Sequence, residues 1–412
     1  MNCKSLFLSI ILLFIASHAQ ASSIKRMYEV SQPVVSQDKQ IRNAAFEQGL
    51  IEVAMRVSGS SRAPAEIDLM VASQMISQYR YFIMSEKEIN AYMKQSASQG
   101  TPLEKPRYRL WMKFDDAKVK QQLGNNGLPI WGYQRPNVLI WLAVKDGKNR
   151  YLLKKSDQSQ IKDTVEKEAH RRGLPIIWPE YDTLDRQQLS FIDVWGEFWE
   201  PLKQASQRYK ADAVLLGKMN WANGSWQVNW SLLMEDRIES WKLSALDMGM
   251  ITSSGIDVAT DHVSSRFAVY ANSANDGELL VRVSDLYSVK NFATVSHYLA
   301  SLAPVKSVYA SEVKGAQVDF YLELSGDEKD LKRIIALGKI LQPDTRAEEE
   351  PSEYVVRQGQ MPMDSEKPDT GVTAVQGIQS DNGQSAKQEP LSPEVQRPQK
   401  PQPNMLRYRI NS

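Results

Sequence analysis

The segment EAHRRGLPIIWPEYDTLD, residues 168–185, holds the residue types that most resemble a set of catalytic groups. His170 is a candidate proton donor or acceptor, and Asp182 and Asp185 follow a short apolar run that would carry them back toward its imidazole. Proton transfer requires that the fold hold such groups within hydrogen-bond reach of one another. The elements that carry these residues therefore decide whether they can act together.

Helix geometry favours a structural role for this segment. Apolar residues at four-residue spacing predict a buried stripe on a helix over 157–172, and His170 then lies about 100° or more from that stripe and faces water. Basic residues just before Gly173 complement a helix carboxyl end, and Asp182 and Asp185 are typical turn and N-cap residues. The alternative remains that strand ends in α/β sheets are common ligand sites.

Other chemistries find little support in the sequence. After the leader the histidines are His170, His262 and His297, on three different predicted helices, and there is no H-E-x-x-H pattern. No G-x-S-x-G, P-loop or G-x-G-x-x-G occurs. We therefore predict no metal site, no cofactor and no catalytic residue. Acid pairs such as Asp193 and Glu197 leave glycoside hydrolysis as an alternative chemistry.

Tryptophan is concentrated in the middle of the chain, where seven of the ten lie between Trp178 and Trp241. Such rings either fill a core or expose platforms for a sugar, a peptide or a protein. Trp195 and Trp199 flank Gly196 irregularly and are candidates for a surface groove. The candidate binding surface combines them with the chemistry-bearing residues nearby: Trp178, Trp195, Trp199, His170, Asp182 and Asp185.

The amino terminus predicts export. Residues 6–16 form an apolar run of signal-peptide length, and Ala19 and Ala21 frame an A-x-A cleavage site, so a signal peptide over 1–21 is expected. About eleven apolar residues fall short of the roughly 20 that span a bilayer, so no transmembrane span remains after cleavage. The single cysteine, Cys3, lies in this leader. We therefore expect an exported protein, soluble or peripherally associated.

Composition bounds the partners. The chain has 50 Lys and Arg against 49 Asp and Glu, so it lacks the concentrated positive charge that nucleic acid binding requires. Pairs such as Lys154–Lys155 and Arg171–Arg172 are expected to be solvated surface. At 42% hydrophobic residues the chain can build a core.

The pattern of strands and helices predicts an α/β (α+β) fold of several modules. An N-terminal α+β module over 22–127 holds a helix over 38–58 and a second helix over 64–78. A central α/β module with a mixed sheet follows over 128–272. A small module over 278–341 has the order β-α-β-β-α of a ferredoxin-like split βαβ unit.

The carboxyl-terminal part of the chain, residues 343–412, differs in composition. Residues 343–404 hold nine of the 19 prolines, which predicts a disordered tail rich in Pro, Gln and Glu. Its end, MLRYRI, alternates apolar and basic residues. Leu406, Tyr408 and Ile410 therefore form a candidate docking motif that adds a short strand to an exposed sheet edge, the alternative being a frayed terminus.

Several long segments together resemble an uncharacterised family of exported Gram-negative proteins, domain of unknown function 2066 (DUF2066). They are YEVSQPVVSQDKQIRNAAFEQGLIEVAMRVSGSSR, FDDAKVKQQLGNNGLPIWGYQRPNVLIWLAV, AHRRGLPIIWPEYD and DVWGEFWEPLKQASQRYKADAVLLGKM. The resemblance covers roughly residues 26–342. Together with the signal peptide, the resemblance implies a periplasmic location in a Gram-negative cell. It implies no activity, because the family has none established, so no residue inherits a role from it.

Two functions of different class are consistent with these patterns. The first is a non-enzymatic periplasmic accessory or adaptor protein that binds an envelope protein or a cell-wall component. The second is a cell-wall or polysaccharide hydrolase that uses carboxylates around residues 180–197. The first is favoured because it requires surfaces, which the chain has, whereas a hydrolase requires a constellation of groups that the sequence does not display.

Overall fold

The computed structural model describes residues 26–98, 104–270, 277–348 and 405–411. The predicted signal peptide, and residues 349–404 of the predicted tail, lie outside the described residues. The fold is mixed α/β, as predicted. The strands are, in chain order, β1 (Glu29–Val34), β2 (Ile76–Ile83), β3 (Tyr108–Phe114), β4 (Pro129–Ile130), β5 (Val138–Asp146), β6 (Asn149–Leu152), β7 (Ile176–Ile177), β8 (Ala213–Ala222), β9 (Ser225–Met234), β10 (Arg237–Ala245), β11 (Val269–Tyr270), β12 (Gly277–Ser284), β13 (Val305–Lys314), β14 (Gln317–Leu324), β15 (Leu341–Pro343) and β16 (Met405–Ile410).

The α-helices connect and cover these strands. They are α1 (Lys39–Ser58), α2 (Ala63–Glu66), α3 (Ala72–Met75), α4 (Glu86–Ser98), α5 (Asp116–Asn125), α6 (Gln160–Arg172), α7 (Thr183–Gln188), α8 (Phe191–Trp195), α9 (Trp199–Ser206), α10 (Met248–Phe267), α11 (Val289–Ser301) and α12 (Glu328–Leu337). Short 3₁₀ turns occur at Leu69–Val71, Gln207–Tyr209 and Thr345–Glu348. None of the described helices combines the length and the apolar character needed to cross a bilayer.

The first core lies between α1 and a three-stranded antiparallel sheet of order β1-β3-β2. Alternate residues of β3, among them Leu110, Met112 and Phe114, point into this core and are buried. Helix α1 ends at Gly59, whose φ of 71° is the left-handed conformation that glycine adopts without strain.

Two elements of this region differ from the sequence expectation. The single helix expected over 64–78 is broken, because Asp68 starts a new turn by accepting a hydrogen bond from the main-chain N–H of Met70. The chain then enters β2. The sequence also predicted no helix in the 90s, where the structure has α4. This helix begins where Ser85 and Glu88 exchange side-chain to main-chain hydrogen bonds.

The central sheet is mixed and has the order β10-β9-β8-β5-β6, with β7 pairing with the start of β5. β5 is parallel to β8 and β7 and antiparallel to β6. Its seven leading residues, 138–144, are buried on both faces. Ile140 and its alternates pack toward α6 and α10, while Trp141 and its alternates pack toward α8 and α9.

Trp230 is fixed in this core by two glycines. It lies on β9 opposite Gly217 of β8, and the edge of its indole faces Gly255 of α10. A Cβ atom on Gly217 or Gly255 would overlap the ring. The helix can approach the sheet this closely because both neighbours of the ring lack side chains.

The third core contains α11, α12 and a five-stranded sheet of order β13-β14-β12-β16-β15. The C-terminal strand β16 runs parallel to β12 and antiparallel to β15, so it lies between them. Leu406 and Tyr408 point into the core and are buried. For this module the sequence predicted β-α-β-β-α, and it predicted the segment 405–410 separately as a candidate strand for an exposed sheet edge. In the structure that segment is β16, which pairs with β12 and β15 from more than 60 residues further along the chain.

Candidate functional site

Asp185 is the most buried of the candidate residues, with 0% of its surface exposed. Its carboxylate accepts hydrogen bonds from the main-chain N–H of Tyr181 at 2.8 Å, from the hydroxyl of Tyr209, and from the guanidinium of Arg208 at 3.1 Å. A buried carboxylate needs such donors to offset its desolvation. Burial also raises the pKa of the Tyr209 phenol. Asp185 therefore anchors α7 to the segment after α9.

Asp182 belongs to the same network and lies at its surface. It caps α7 by accepting the main-chain N–H groups of Leu184 and Asp185 at 3.1 Å, and it accepts two bonds from Arg208 at 2.7 and 3.0 Å. These bonds, above all those from Arg208, lower the pKa of Asp182 from 3.8 to about 2. The carboxylate is thus ionised at neutral pH and holds no proton to donate to a substrate.

The other carboxylates of residues 180–197 are also engaged. Glu180 pairs with Lys155, and Asp193 forms a capping box with Ser190 at the start of α8. Glu197 pairs with Lys218 of β8. A glycosidase needs two carboxyl groups facing one another across a cleft. Here each carboxylate serves a cap or an ion pair instead.

His170 is not part of this network. It lies exposed on the last turn of α6, and no hydrogen bond joins it to Asp182 or Asp185 within the described residues. Trp178 is buried in the core between the central sheet and helices α6 and α10, with 6% of its surface exposed. The structure therefore joins the two aspartates, but it does not bring the imidazole to them.

The remaining candidates lie on an aromatic surface, which we define as Phe191, Ile192, Trp195, Phe198 and Trp199 of α8, α9 and their connection. The rings of Phe191 and Trp195 stack with centroids 5.4 Å apart. Ile192 is 68% exposed and Phe198 is 52% exposed, while both tryptophans are partly exposed. Exposed apolar side chains grouped in this way are typical of surfaces that bind a partner.

Local backbone geometry sets the shape of this surface. Glu197, between the two short helices, has a φ of 56°, an unusual conformation for a residue with a side chain. The ion pair with Lys218 ties this turn to the sheet. Gly196 lets the ring of Phe198 fold back, since a Cβ atom there would lie 2.9 Å from it.

A second surface, which the sequence reasoning missed, adjoins the first. It lies on the face of the central sheet that α8 and α9 cover in part, toward the carboxyl ends of β5 and β8. We call it the polar band. It consists of two rows of side chains that neighbour one another across the strands, namely Arg150, Lys145, Asn220, Gln227 and Ser244 in one row, and Lys218, Asn229 and Lys242 in the other.

The signal for the polar band was present in the sequence. Gln227 and Asn229 alternate with Trp226, Val228 and Trp230, so one face of this strand is polar and the other is apolar. The strand order is what brings Lys145 of β5 and Lys242 of β10 to the same face, and a single strand does not reveal it. The polar band is therefore formed by the order and register of several strands, and no single segment of the sequence shows it.

The expectation that Arg171 and Arg172 are solvated was wrong for Arg172, which is fully buried. Its guanidinium bonds the carboxylates of Asp257 and Asp261 on α10 and, at 2.8 Å, the carbonyl oxygen of Gly59. The helical stripe could not show this, because the partner helix α10 lies about 85 residues further along the chain. These ion pairs join α6 to α10.

No group of three or more His, Cys, Asp or Glu side chains that could hold a metal ion occurs in the described ranges. Residues 21–132 match the family described as Domain of unknown function (DUF8605). No curated protein matches the chain. The first core is therefore similar to an uncharacterised domain whose description carries no activity.

Proposed function

We propose that this protein is a non-enzymatic accessory or adaptor protein of the cell envelope, which binds an envelope protein or a cell-wall component through the aromatic surface. The proposal includes export to the periplasm by the signal peptide predicted over 1–21. The resemblance of residues 26–342 to domain of unknown function 2066 is consistent with it but adds no activity.

The exposure of Ile192 and Phe198 beside the partly exposed Trp195 and Trp199 carries this proposal. Burying one large apolar side chain contributes about 1.5–3 kcal/mol, so leaving several at a surface forgoes considerable stability unless a partner covers them. Aromatic residues of this kind form the energetic centre of many protein interfaces. They also stack on the apolar faces of sugar rings.

The state of the carboxylates favours binding over hydrolysis. Arg208 holds Asp182 ionised, donors fill the acceptor sites of Asp185, and Lys218 neutralises Glu197. A general acid for glycoside hydrolysis requires a raised pKa, which is the opposite of the shift at Asp182.

Photocrosslinking in cells tests the proposal. A photoreactive amino acid is placed at Ile192 or at Phe198, and in a control at Val289, which is 84% exposed at the start of α11. We expect crosslinks to one defined envelope protein or to peptidoglycan from the first two positions and none from the control. Sequencing of the purified protein should find the mature chain beginning near Ser22.

Two results would contradict this function. One is equal crosslinking from all three positions, since the aromatic surface would then have no special role. The other is turnover of peptidoglycan by the purified mature protein that Asp182→Asn or Glu197→Gln abolishes.

A further inference from the structure

The dimensions of the polar band fit an extended ligand. Its longer row crosses five strands, from Arg150 on β6 to Ser244 on β10. Neighbouring strands lie about 4.8 Å apart, so this row spans about 19 Å, and the two rows lie about 7 Å apart along the strands. A ligand that contacts the whole band must therefore be long and narrow. These dimensions fit a polymer better than a small metabolite.

The charge of the band is one-sided. Four of its side chains are cationic, namely Lys145, Arg150, Lys218 and Lys242. Of these, Lys218 forms an ion pair with the carboxylate of Glu197. The whole chain, by contrast, has nearly equal numbers of both signs. Such segregation creates a local positive potential that attracts an anionic ligand.

Apart from Lys218, the side chains of the band lack partners within the part of the chain that the structure describes. Among the described residues no hydrogen bond or ion pair engages the side chains of Lys145, Arg150 and Lys242, or those of the amides Asn220, Gln227 and Asn229. Each amide both donates and accepts hydrogen bonds, as a sugar hydroxyl does. The cations complement carboxylates, and the guanidinium of Arg150 can bind one through two hydrogen bonds.

We propose that the polar band is a binding site for an anionic polysaccharide, a carboxylated glycan whose chain runs across the strands. This deepens the proposed function and rests on it, since it names the chemical class of the cell-wall component. The aromatic surface lies beside the band, because Glu197 connects α8 and α9 and pairs with Lys218 of the band. It provides rings on which sugars beyond the band stack.

The composition of the band argues against a protein as its occupant. Protein interfaces are centred on desolvated apolar and aromatic residues with a polar rim, whereas both rows of the band hold only cationic, amide and hydroxyl groups. Nucleic acid would also meet cations and amides. However, four cations, one of them paired with a carboxylate, offer few of the phosphate contacts that such binding uses.

The test measures binding of the mature full-length chain to polygalacturonate, a carboxylated glycan, by isothermal titration calorimetry. Dextran, poly-L-glutamate and single-stranded DNA serve as neutral, peptidic and nucleic acid comparisons. The band variant carries Lys145→Gln, Arg150→Gln and Lys242→Gln. The matched control carries Lys39→Gln, Lys87→Gln and Lys94→Gln, three exposed lysines on α1 and α4, and has the same net charge.

We expect polygalacturonate to bind more tightly than the other three polymers. The band variant should lose about tenfold in affinity, which is what three exposed ion pairs of ordinary strength amount to, and the control should bind as the unaltered chain does. Equal affinity of band variant and control would overturn the inference. So would an affinity for poly-L-glutamate or DNA that matches or exceeds that for polygalacturonate.

Failure of this inference is separable from failure of the proposed function. If polygalacturonate does not bind while Phe198 still crosslinks to a defined envelope protein, the anionic glycan site is wrong and the adaptor function stands. If neither occurs, both are wrong.

Discussion

The buried guanidinium of Arg135 donates a 2.7 Å hydrogen bond to the main-chain carbonyl oxygen of Arg56. It also bonds the carbonyl oxygens of Gly173 and Trp131, each at 2.8 Å, and lies 3.9 Å from the centroid of the Trp131 ring. The cation thus lies between the carboxyl ends of α1 and α6, where helix dipoles concentrate negative charge. Burial lowers the pKa of Arg135, and these oxygens compensate for the lost water.

We expect Arg135→Met to destabilise the protein by about 3–5 kcal/mol, because several buried carbonyl groups lose their donor together. The stability of Arg135→Lys should lie between those of Arg135→Met and the unaltered protein, since lysine keeps the charge but not the planar set of donors. Urea unfolding followed by tryptophan fluorescence measures both. Equal midpoints for Arg135→Met and the unaltered protein would show that the cluster contributes nothing to stability.

Gly255→Ala should also destabilise, by about 1–3 kcal/mol, because its new methyl group overlaps the indole of Trp230 and forces α10 away from β9. Gly249→Ala, in the first turn of the same helix, is the matched control. It should cost much less than Gly255→Ala, because there the methyl group meets only the Oδ1 atom of Asp247, at 3.1 Å, and no ring of the core. Thermal unfolding compares the two, and similar losses in both variants would refute the packing argument.

The sequence predicts elements well where local chemistry sets them. The apolar run 138–144 lies in the buried strand β5, and Asn223–Gly224 forms the two-residue hairpin turn that its residue types favour. At Asp146–Gly147 the hairpin also forms, but Asp146 still belongs to β5 and the turn is Gly147–Lys148. The helix that ends at Gly173 has its basic last turn and left-handed glycine. In each case the deciding interactions lie within a few residues of one another.

Interactions between distant segments were the ones that sequence reasoning missed. Arg172 was expected in water because its ion-pair partners Asp257 and Asp261 lie on a different helix. Asp182 and Asp185 were recognised as helix-capping types, but nothing local indicates that Arg208 unites them. Likewise the polar band depends on strand order, which periodicity alone does not specify.

The pKa of Asp182 gives a prediction for acid stability. Its folded-state value of about 2 lies below the ordinary 3.8, so the interactions of the carboxylate contribute fully above about pH 3.8 and are lost as pH falls toward 2. The stability difference between the unaltered protein and Asp182→Asn should therefore shrink over this range and stay constant above it. Urea unfolding at pH 6, 5, 4 and 3 measures it.

Arg208→Gln provides an independent check on the cause of that shift. Since Arg208 makes the largest contribution, its removal should raise the pKa of Asp182 toward 3.8, as followed by the carboxyl carbon resonance in an NMR titration. A titration midpoint that stays near 2 in Arg208→Gln would assign the shift to the main-chain N–H groups instead.

The position of β16 predicts that the end of the chain stabilises the third core. Tyr408 is 6% exposed and lies beside Val283 of β12 in the parallel register. Tyr408→Ala should therefore cost about 3–5 kcal/mol, as for other large buried aromatic side chains. Met405→Ala, at a position 39% exposed, is the control and should cost much less.

Hydrogen exchange locates the effect. If β16 protects the edge of β12, Tyr408→Ala should accelerate exchange of the amides in β12 and β15 and leave those of β5 unchanged. The reason is that β16 lies between β12 and β15 in the sheet and pairs with both. Deleting residues 405–412 should have the same pattern to a greater extent. Unchanged protection of β12 in both variants would show that β16 does not pair with β12 in solution.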